Sequence, residues 1–567
     1  MPTRTALFSE PFTEEIDVQR KQDNIKGLAV TVLKPDGSIE MLTRGISSEE
    51  GAPVTYNTIF NLGSCSKAFL AASLAILMDD FSKKKNTIPL PRGLSELTWE
   101  TKVKHLFPQD WKLKDEWATE KLNIKDLLSH TWGLPRSDNA LDPNSDILDT
   151  IKRLQYLRPV YELRQKWCYS NIPYIVGAYI ISEYSGMPYP NFLRERVLKP
   201  LGMNSTFCSP EEIESHRDLS HAWTAEGRRL PYWFDEKRAA LAAGAASVAS
   251  SPIDLGQWLK FFVNEGVIPE RKERLISEAS FKVITNANVV VTGSSDQPLE
   301  SIVGYGIGWQ RLSYRAHEIV EHTGLAPGFC TYIAFLPGDR FGIALNSNTY
   351  VSPIILRSTA LGIIHRILGI NDLHFIPGNL EPSRKSLLEK EFTEDTLRKA
   401  SPLPLKLYSG SFFNKGYGEL KICSPSCLDW DCKDVLDAFS AVDRNHHVEN
   451  HQLFSKWEKL WSTHLRFVHC SGNLFSFRPA VLYPDGYGKD STPFEINFDF
   501  LEGEMSSNAE VEFVVKENKV MGFGIFGYVP KDVKLRRGGS VEEDALVYFS
   551  RTSDCCSSRV ACNSGEN

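Results

Sequence analysis

Ser64 and Lys67 stand one helical turn apart in Phe60-Asn61-Leu62-Gly63-Ser64-Cys65-Ser66-Lys67, at the head of an apolar run with helical spacing. That spacing puts hydroxyl and amine on one helix face, within proton-transfer distance, as an activated serine nucleophile requires. A helix start also aims the positive end of the dipole at the oxyanion formed on attack. Four residues decide little by themselves, because a serine opening a helix is an ordinary N-cap and a lysine one turn on is an ordinary solvated side chain. Two later triplets add weight: Tyr169-Ser170-Asn171 about one hundred residues on, and His322-Thr323-Gly324 after Val320-Glu321.

S-x-x-K, then Y-x-N, then an H/K-T-G triplet in this order resembles the serine β-lactamase-like superfamily, in its class C β-lactamase, D-aminopeptidase and family VIII esterase branch. Leu127-Leu128-Ser129-His130-Thr131-Trp132-Gly133-Leu134-Pro135, Pro200-Leu201-Gly202-Met203 and Gly304-Tyr305-Gly306-Ile307-Gly308-Trp309 are similar to segments of that family in the same order, over about residues 10 to 370. The resemblance implies that Ser64 is the nucleophile and that Lys67, in poor solvent, is a proton acceptor. It makes Tyr169 the second proton carrier, its phenolate stabilised by a Lys67 ammonium. Asn171 would donate to a substrate carbonyl, or be a turn former. Gly324 would let the strand approach the substrate, and the Leu325 peptide N–H would complete an oxyanion hole with that of Ser64.

His322 departs from the β-lactam specialists, which carry lysine there to grip a carboxylate. A histidine is largely neutral near pH 7, which favours esterase, aminopeptidase or acyltransferase relatives. Cys65 reads as a small buried filler, and His130 as structural. His446, His447 and His451 with Cys423, Cys427 and Cys432 lack the spacing of a zinc site, so neither metal nor cofactor is expected.

At 567 residues the chain is long enough for two to four domains. Its 64 Lys plus Arg balance 71 Asp plus Glu, leaving no electrostatic footprint for nucleic acid or an anionic membrane; a small-molecule ester or a peptide is the expected partner. The first ten residues lack a secretory apolar core, and no run approaches the roughly 18 apolar residues of a membrane span. Eleven scattered cysteines suggest reduced thiols and a cytoplasmic location. Bacterial relatives usually act on cell wall or antibiotics outside the cytoplasm, so a different substrate is expected. Oligomeric state is left open.

The elements that must hold these residues follow from periodicity. Leu28–Leu33, Pro35-Asp36-Gly37 and Ile39–Leu42 read as two strands around a tight turn. Residues 66–80 place Leu70, Leu74 and Leu77 on one helical stripe. Helical segments at 191–199 and 253–264 precede short strands at 304–309, 332–336 and 341–346 and a closing helix at 354–368. The expected fold is α/β (α+β): one antiparallel sheet flanked by helices and completed by distant segments, with a helical subdomain, the site lying between them. Residues 10–375 would form this β-lactamase/transpeptidase-like module and 376–404 a proline-bearing linker with one short helix. From 405 to 552 the pattern reads as β throughout, and Leu407–Phe412 with Lys415–Leu420 resemble the opening of a lipocalin-like antiparallel barrel. Phe498, Phe500, Phe513 and Phe526 would fill that barrel, which would border the cleft without supplying catalytic groups. Residues 553–567 would be a disordered tail.

The function expected is a serine hydrolase or acyltransferase, acting through a Ser64 acyl-enzyme on an ester of a small metabolite. Peptide or amide hydrolysis of the D-aminopeptidase kind comes second and β-lactam hydrolysis a distant third. Trp132, Trp167, Trp233 and Phe329 would suit an apolar acyl group or equally a core. The alternative from another class is a catalytically silent binding or scaffold protein on the same fold.

Overall fold

The computed structural model describes residues 7–295, 297, 299–370, 400–427, 429–443, 451–498 and 509–554. After α1 (Glu10–Gln22), strands β1 (Gly27–Leu33) and β2 (Ile39–Gly45) form the expected hairpin, paired from Leu33↔Ile39 to Gly27↔Gly45. Gly37 at φ 83° makes the turn possible, since only a residue without Cβ takes that conformation freely.

The chain then leaves the sheet for more than two hundred residues and returns as β3 (Val289–Thr292), β4 (Val303–Tyr305), β5 (Gln310–Tyr314), β6 (His317–Ala326), β7 (Phe329–Leu336) and β8 (Phe341–Ser347). The eight strands are all antiparallel, in the order β3-β4-β5-β6-β7-β8-β1-β2. Every residue of β1 is buried, because helices cover both faces and the side chains alternate between them. Leu28, Val30 and Val32 join the core that includes Phe12 and Ile16 of α1 and Leu356, Ala360 and Ile363 of α5 (Pro353–Leu368). On the other face Thr31 Oγ1 donates to Pro252 O at 3.1 Å, where α4 (Pro252–Val263) begins.

The long excursion is mainly helical. Its centre is α2 (Ser66–Ser82), which buries 14 of its 17 residues. The expected single stripe of leucines is therefore too narrow a description: this helix runs through the core and is covered on all sides. Against it lies α3 (Ile172–Ser185), which begins directly after Asn171. A Cβ on Gly177 would stand 2.9 Å from Leu70 Cδ2, so glycine sets the close approach of the two helices.

The second sheet has nine strands: β9 (Gly410–Asn414), β10 (Gly418–Ile422), β11 (Gln452–Lys459), β12 (Ser462–Ser471), β13 (Leu474–Tyr483), β14 (Phe494–Ile496), β15 (Ala509–Lys516), β16 (Lys519–Phe526) and β17 (Val547–Asp554). Their order is β10-β9-β17-β16-β15-β13-β12-β11, with β14 beside β13. Cys423 and Phe454 exchange backbone hydrogen bonds of 2.7 and 2.9 Å, drawing the two edges together into a nearly closed barrel.

Three expectations for this region need correction. It is not β throughout: α6 (Trp430–Val442) packs Val435 and Phe439 against Phe454, Ala480 and Leu482. Not all thiols are reduced, since Cys423 and Cys432 form a disulfide that ties the barrel seam to the start of α6. Nor do the phenylalanines share one interior. Phe513 packs among Tyr408, Phe475 and Phe523 inside, whereas Phe526 is three residues from Phe523, hence on the opposite face, under the Arg536 guanidinium. Phe498 contacts Trp233 and Tyr350, outside the barrel altogether. Phe500, His446, His447, residues 376–399 of the expected linker and 555–567 of the expected tail lie outside the described residues. Among the described residues no helix is long and apolar enough to cross a membrane.

The barrel is fastened to the first module, which carries the eight-stranded sheet, by backbone as well as rings. Leu460, in the turn between β11 and β12, donates its N–H to Leu141 O at 3.0 Å and accepts the Trp233 indole N–H at 2.9 Å.

Candidate active site

Ser64 lies in a 3₁₀ turn, Gly63–Cys65, that runs straight into α2. Asn61 Oδ1 accepts the Gly63 N–H at 2.8 Å, and Ser66 Oγ donates to Gly63 O at 2.6 Å while accepting the Val248 N–H at 3.0 Å. The turn is pressed onto β6. A Cβ on Gly63 (φ 50°) would meet Leu325 N at 2.6 Å, and one on Gly324 would meet Leu62 O at 1.9 Å. These two glycines thus allow the strand carrying His322, Gly324 and Leu325 to reach the serine.

Ser64 Oγ is held from two sides. Tyr169 donates its phenol O–H to it at 2.7 Å, and Lys67 Nζ stands 3.1 Å away. Lys67 is fully buried, with Nζ 2.8 Å from Asn171 Oδ1 and 3.0 Å from Ala245 O. Burial pushes its pKa well below the ordinary lysine range; the Arg136 guanidinium adds to this and Asp138 opposes it. A neutral amine has two N–H groups and one lone pair. Asn171 Oδ1 and Ala245 O can only accept, so they take both hydrogens and leave the lone pair facing the Ser64 hydroxyl.

Tyr169 is buried too, and burial raises its pKa, with Arg136 as the largest opposing influence. Burial therefore disfavours a phenolate on Tyr169 while the site is at rest. Separating charge here would require burying both ions, and the resting pair is phenol and amine.

Asn171 lines the cleft and is held at both ends of its amide: its Nδ2 donates to Asp138 Oδ2 at 2.8 Å and its Oδ1 faces Lys67, with one of its two Nδ2 hydrogens not taken up by these bonds. Asp138 Oδ2 also accepts from Arg136 Nε at 2.7 Å and from the indole N–H of Trp461 at 2.8 Å.

His322 is neutral: burial, with Lys67 nearby, lowers its pKa to about 3. Its Nδ1 lies 2.6 Å from Thr323 O and must carry the hydrogen, leaving Nε2 to accept from Tyr305 OH at 3.2 Å. His130 completes the row. Its Nδ1 accepts the Ser170 N–H at 3.3 Å, so its Nε2–H faces Tyr305 OH at 3.3 Å. All four hydrogens are then oriented in one direction.

The cleft over Ser64 encloses about 650 Å³. Trp167, Tyr305, His322 and Leu325 of the first module form one wall, and Trp461, Pro530, Lys531 and Asp532 from the barrel form another. At the rim Asp532 pairs with Lys166 and accepts the Tyr161 hydroxyl at 2.5 Å. Of the four aromatics noted in the sequence only Trp167 lines the cleft; Trp132, Trp233 and Phe329 are core residues. Arg136, Asp138 and Trp461 escaped the sequence reading, and Tyr305 was read only as part of a family-like segment, with no role in the site. Arg136 and Asp138 carried a usable signal, two opposite charges just past the Gly-Leu-Pro end of a motif segment; Trp461 carried none.

Residues 12–357 match the family model described as Beta-lactamase. The chain is similar to Unguisins hydrolase ungD' of Aspergillus campestris, 27% identical over 73% of this chain and 78% of that one. It is also similar to the D-alanyl-D-alanine-carboxypeptidase/endopeptidase AmpH of Escherichia coli, 24% identical over 44% of this chain and 63% of the relative. Among solved structures, the octameric penicillin-binding protein homologue from Pyrococcus abyssi aligns over 95% of this chain and 99% of its own, with TM-score 0.53 and 17% identity, a likeness of fold.

Proposed function

The chain belongs to the beta-lactamase family, and from that premise we propose that this serine hydrolase works through an acyl-enzyme on Ser64. The observation that carries the reading is the placement of Ser64 Oγ between the phenol of Tyr169 at 2.7 Å and the buried amine of Lys67 at 3.1 Å.

The geometry supports a closed proton cycle. The Lys67 lone pair takes the Ser64 proton as Oγ attacks the substrate carbonyl carbon, and the peptide N–H groups of Ser64 and Leu325 stabilise the oxyanion. Tyr169 gives its proton to the departing oxygen or nitrogen. The phenolate that forms is balanced by the new Lys67 ammonium and by Arg136, whose guanidinium lies 5.6 Å from the tyrosine ring. In deacylation the phenolate takes a proton from water, the hydroxide attacks the acyl carbon, and Ser64 Oγ leaves with the proton returned by Lys67. An alcohol or amine in place of water would make the same cycle an acyl transfer.

An ester of a neutral small metabolite fits best. Within the cleft the Arg136 and Lys166 cations are already paired with Asp138 and Asp532 and the neutral His322 adds none, with Lys531 a further cation on its wall. Peptide or amide hydrolysis of the D-aminopeptidase kind is the second reading, favoured by the similarity to a D-alanyl-D-alanine-carboxypeptidase/endopeptidase.

Intact mass spectrometry after exposure to uncharged aryl esters and a fluorophosphonate tests the reading. A single adduct on Ser64, absent from Ser64→Ala, is expected. A folded protein that neither labels nor turns over any ester or amide sinks it in favour of a binding or scaffold role.

A further inference from the structure

Trp461 belongs to the barrel, yet its indole N–H ends on the carboxylate that orients the catalytic pair. From this juxtaposition we infer that Trp461 is a positioning residue for acyl transfer, acting through Asp138 and Asn171 on Lys67. The inference rests on Lys67 being the base proposed above.

The path is short and each link has one workable orientation. Asp138 Oδ2 receives Trp461 Nε1–H at 2.8 Å, Arg136 Nε–H at 2.7 Å and Asn171 Nδ2–H at 2.8 Å. An Asn171 amide turned the other way would set its oxygen against the carboxylate, so Asp138 fixes which end Lys67 meets. That end is Oδ1, 2.8 Å from Nζ. It takes one of the two amine hydrogens and so aims the lone pair at Ser64. A carboxylate allowed to swing would release this orientation, and misplacement by even an ångström is costly for a proton transfer in the transition state.

Trp461 is itself well held. Its backbone neighbour Leu460 is bonded to Leu141 O and to the Trp233 indole, and its ring meets Phe234 edge-on at 5.9 Å between centroids. The barrel therefore does more than border the cleft; it delivers a hydrogen bond to the acidic node behind the nucleophile.

Loss of the indole N–H leaves the Asp138 charge less satisfied and its field at Lys67 stronger. The other groups facing the amine are Arg136, Cys65, the Tyr169 and Tyr174 rings, and the neutral His130 and His322. None of them changes on this substitution. The acid limb of the acylation rate, where Lys67 must be neutral, then moves to higher pH.

The test is single-turnover acylation by an uncharged aryl ester. Trp461→Phe keeps a ring against Phe234 and loses the donor; replacement of Trp461 by 3-benzothienylalanine keeps the bicyclic shape and loses only the N–H, and serves if the phenylalanine variant does not fold. The expected result is a roughly tenfold slower acylation, with KM within about twofold and the acid limb raised. In an Asp138→Asn background the same change at 461 should have no further effect on the rate. Wild-type acylation with an unchanged rate and pH profile in either donor-free variant, or with KM alone altered, makes Trp461 a wall of the cleft and overturns the inference. Absence of acylation in the wild type would instead refute the Ser64 reading.

Discussion

Lys67 Nζ stands 3.1 Å from Ser64 Oγ on a side chain with no solvent exposure. Burying an ammonium there would be expensive, and among the described residues the carboxylate that acts on it, Asp138, is shared with Arg136. A neutral resting amine fits the proposed division of labour, in which lysine accepts the serine proton and the tyrosine that donates to the same oxygen gives its proton to the leaving group.

Replacing these groups should separate activity from stability. Ser64→Ala should abolish the acyl-enzyme with the fold intact, and Tyr169→Phe should cost about 10² or more in rate. Lys67→Met should cost at least as much in rate and yet raise the melting temperature. Burial lowers the Lys67 pKa in the folded protein, so protonation favours the unfolded chain between the folded and unfolded values and removing the amine removes that penalty on folding. Thermal melts beside ester turnover check this; a variant that is both active and less stable contradicts the assignment.

His322 gives the acid limb of stability a definite sign. Its pKa is about 3 in the folded protein against 6.5 for the free side chain. Protons therefore bind the unfolded state first, and the stability present above about pH 6.5 drains away as pH falls toward 3. By pH 4.5 the loss from this residue should be about 2–3 kcal/mol. His322→Gln should show a correspondingly smaller drop in urea midpoint between pH 7 and 4.5; equal drops in both proteins would contradict burial of a neutral imidazole.

How much of this was legible in the sequence depended on the range of the signal. Ser64 and Lys67 share one helix face, and a local period reveals them. The eight-stranded sheet was readable in outline because β1 and β8 are dense apolar runs, although their pairing, Leu28↔Ser347, joins residues more than three hundred apart. The Asp138 node was readable only in its local Arg136–Asp138 pair: Asn171 and Trp461 reach the same oxygen from distant segments, and no spacing encodes that. The bonds of Asn171 were not readable either, since an asparagine in a loop reads as a donor to substrate or as a turn former, and only its partners show what its side chain holds.

The disulfide makes a separate prediction. Cys423 and Cys432 close a loop with a sequence separation of 9 at the barrel seam, which loop entropy values at about 2–3 kcal/mol. Cys423→Ser with Cys432→Ser should lower the melting temperature of the barrel while leaving fluorophosphonate labelling of Ser64 unchanged. Thiol titration of the oxidised, denatured protein should find two fewer reactive groups than after reduction. Equal titres before and after reduction would show that the bond does not form.

Discrimination against carboxylates is the last prediction, and it can be reversed at two places. Penicillins and cephalosporins carry an acid that a fixed cation at position 322 would grip, and His322 is neutral, so they should be poor substrates beside uncharged short-chain aryl esters. His322→Lys should shift preference toward carboxylate-bearing substrates, at some cost in stability because the position is only 6% exposed. Asp532→Ala offers the gentler route. Asp532 pairs with Lys166 across the rim, where both side chains are about half exposed, 48% and 52%, so the pair adds little stability and its loss leaves the fold alone. It does free the Lys166 ammonium to face the cleft. The ratio of kcat/KM for an acid-bearing ester to that for its neutral counterpart should then rise several-fold, chiefly through KM, and the gain should fade as salt is raised. An unchanged ratio in Asp532→Ala would mean that the Lys166 ammonium is not what the cleft shows to a bound acyl group.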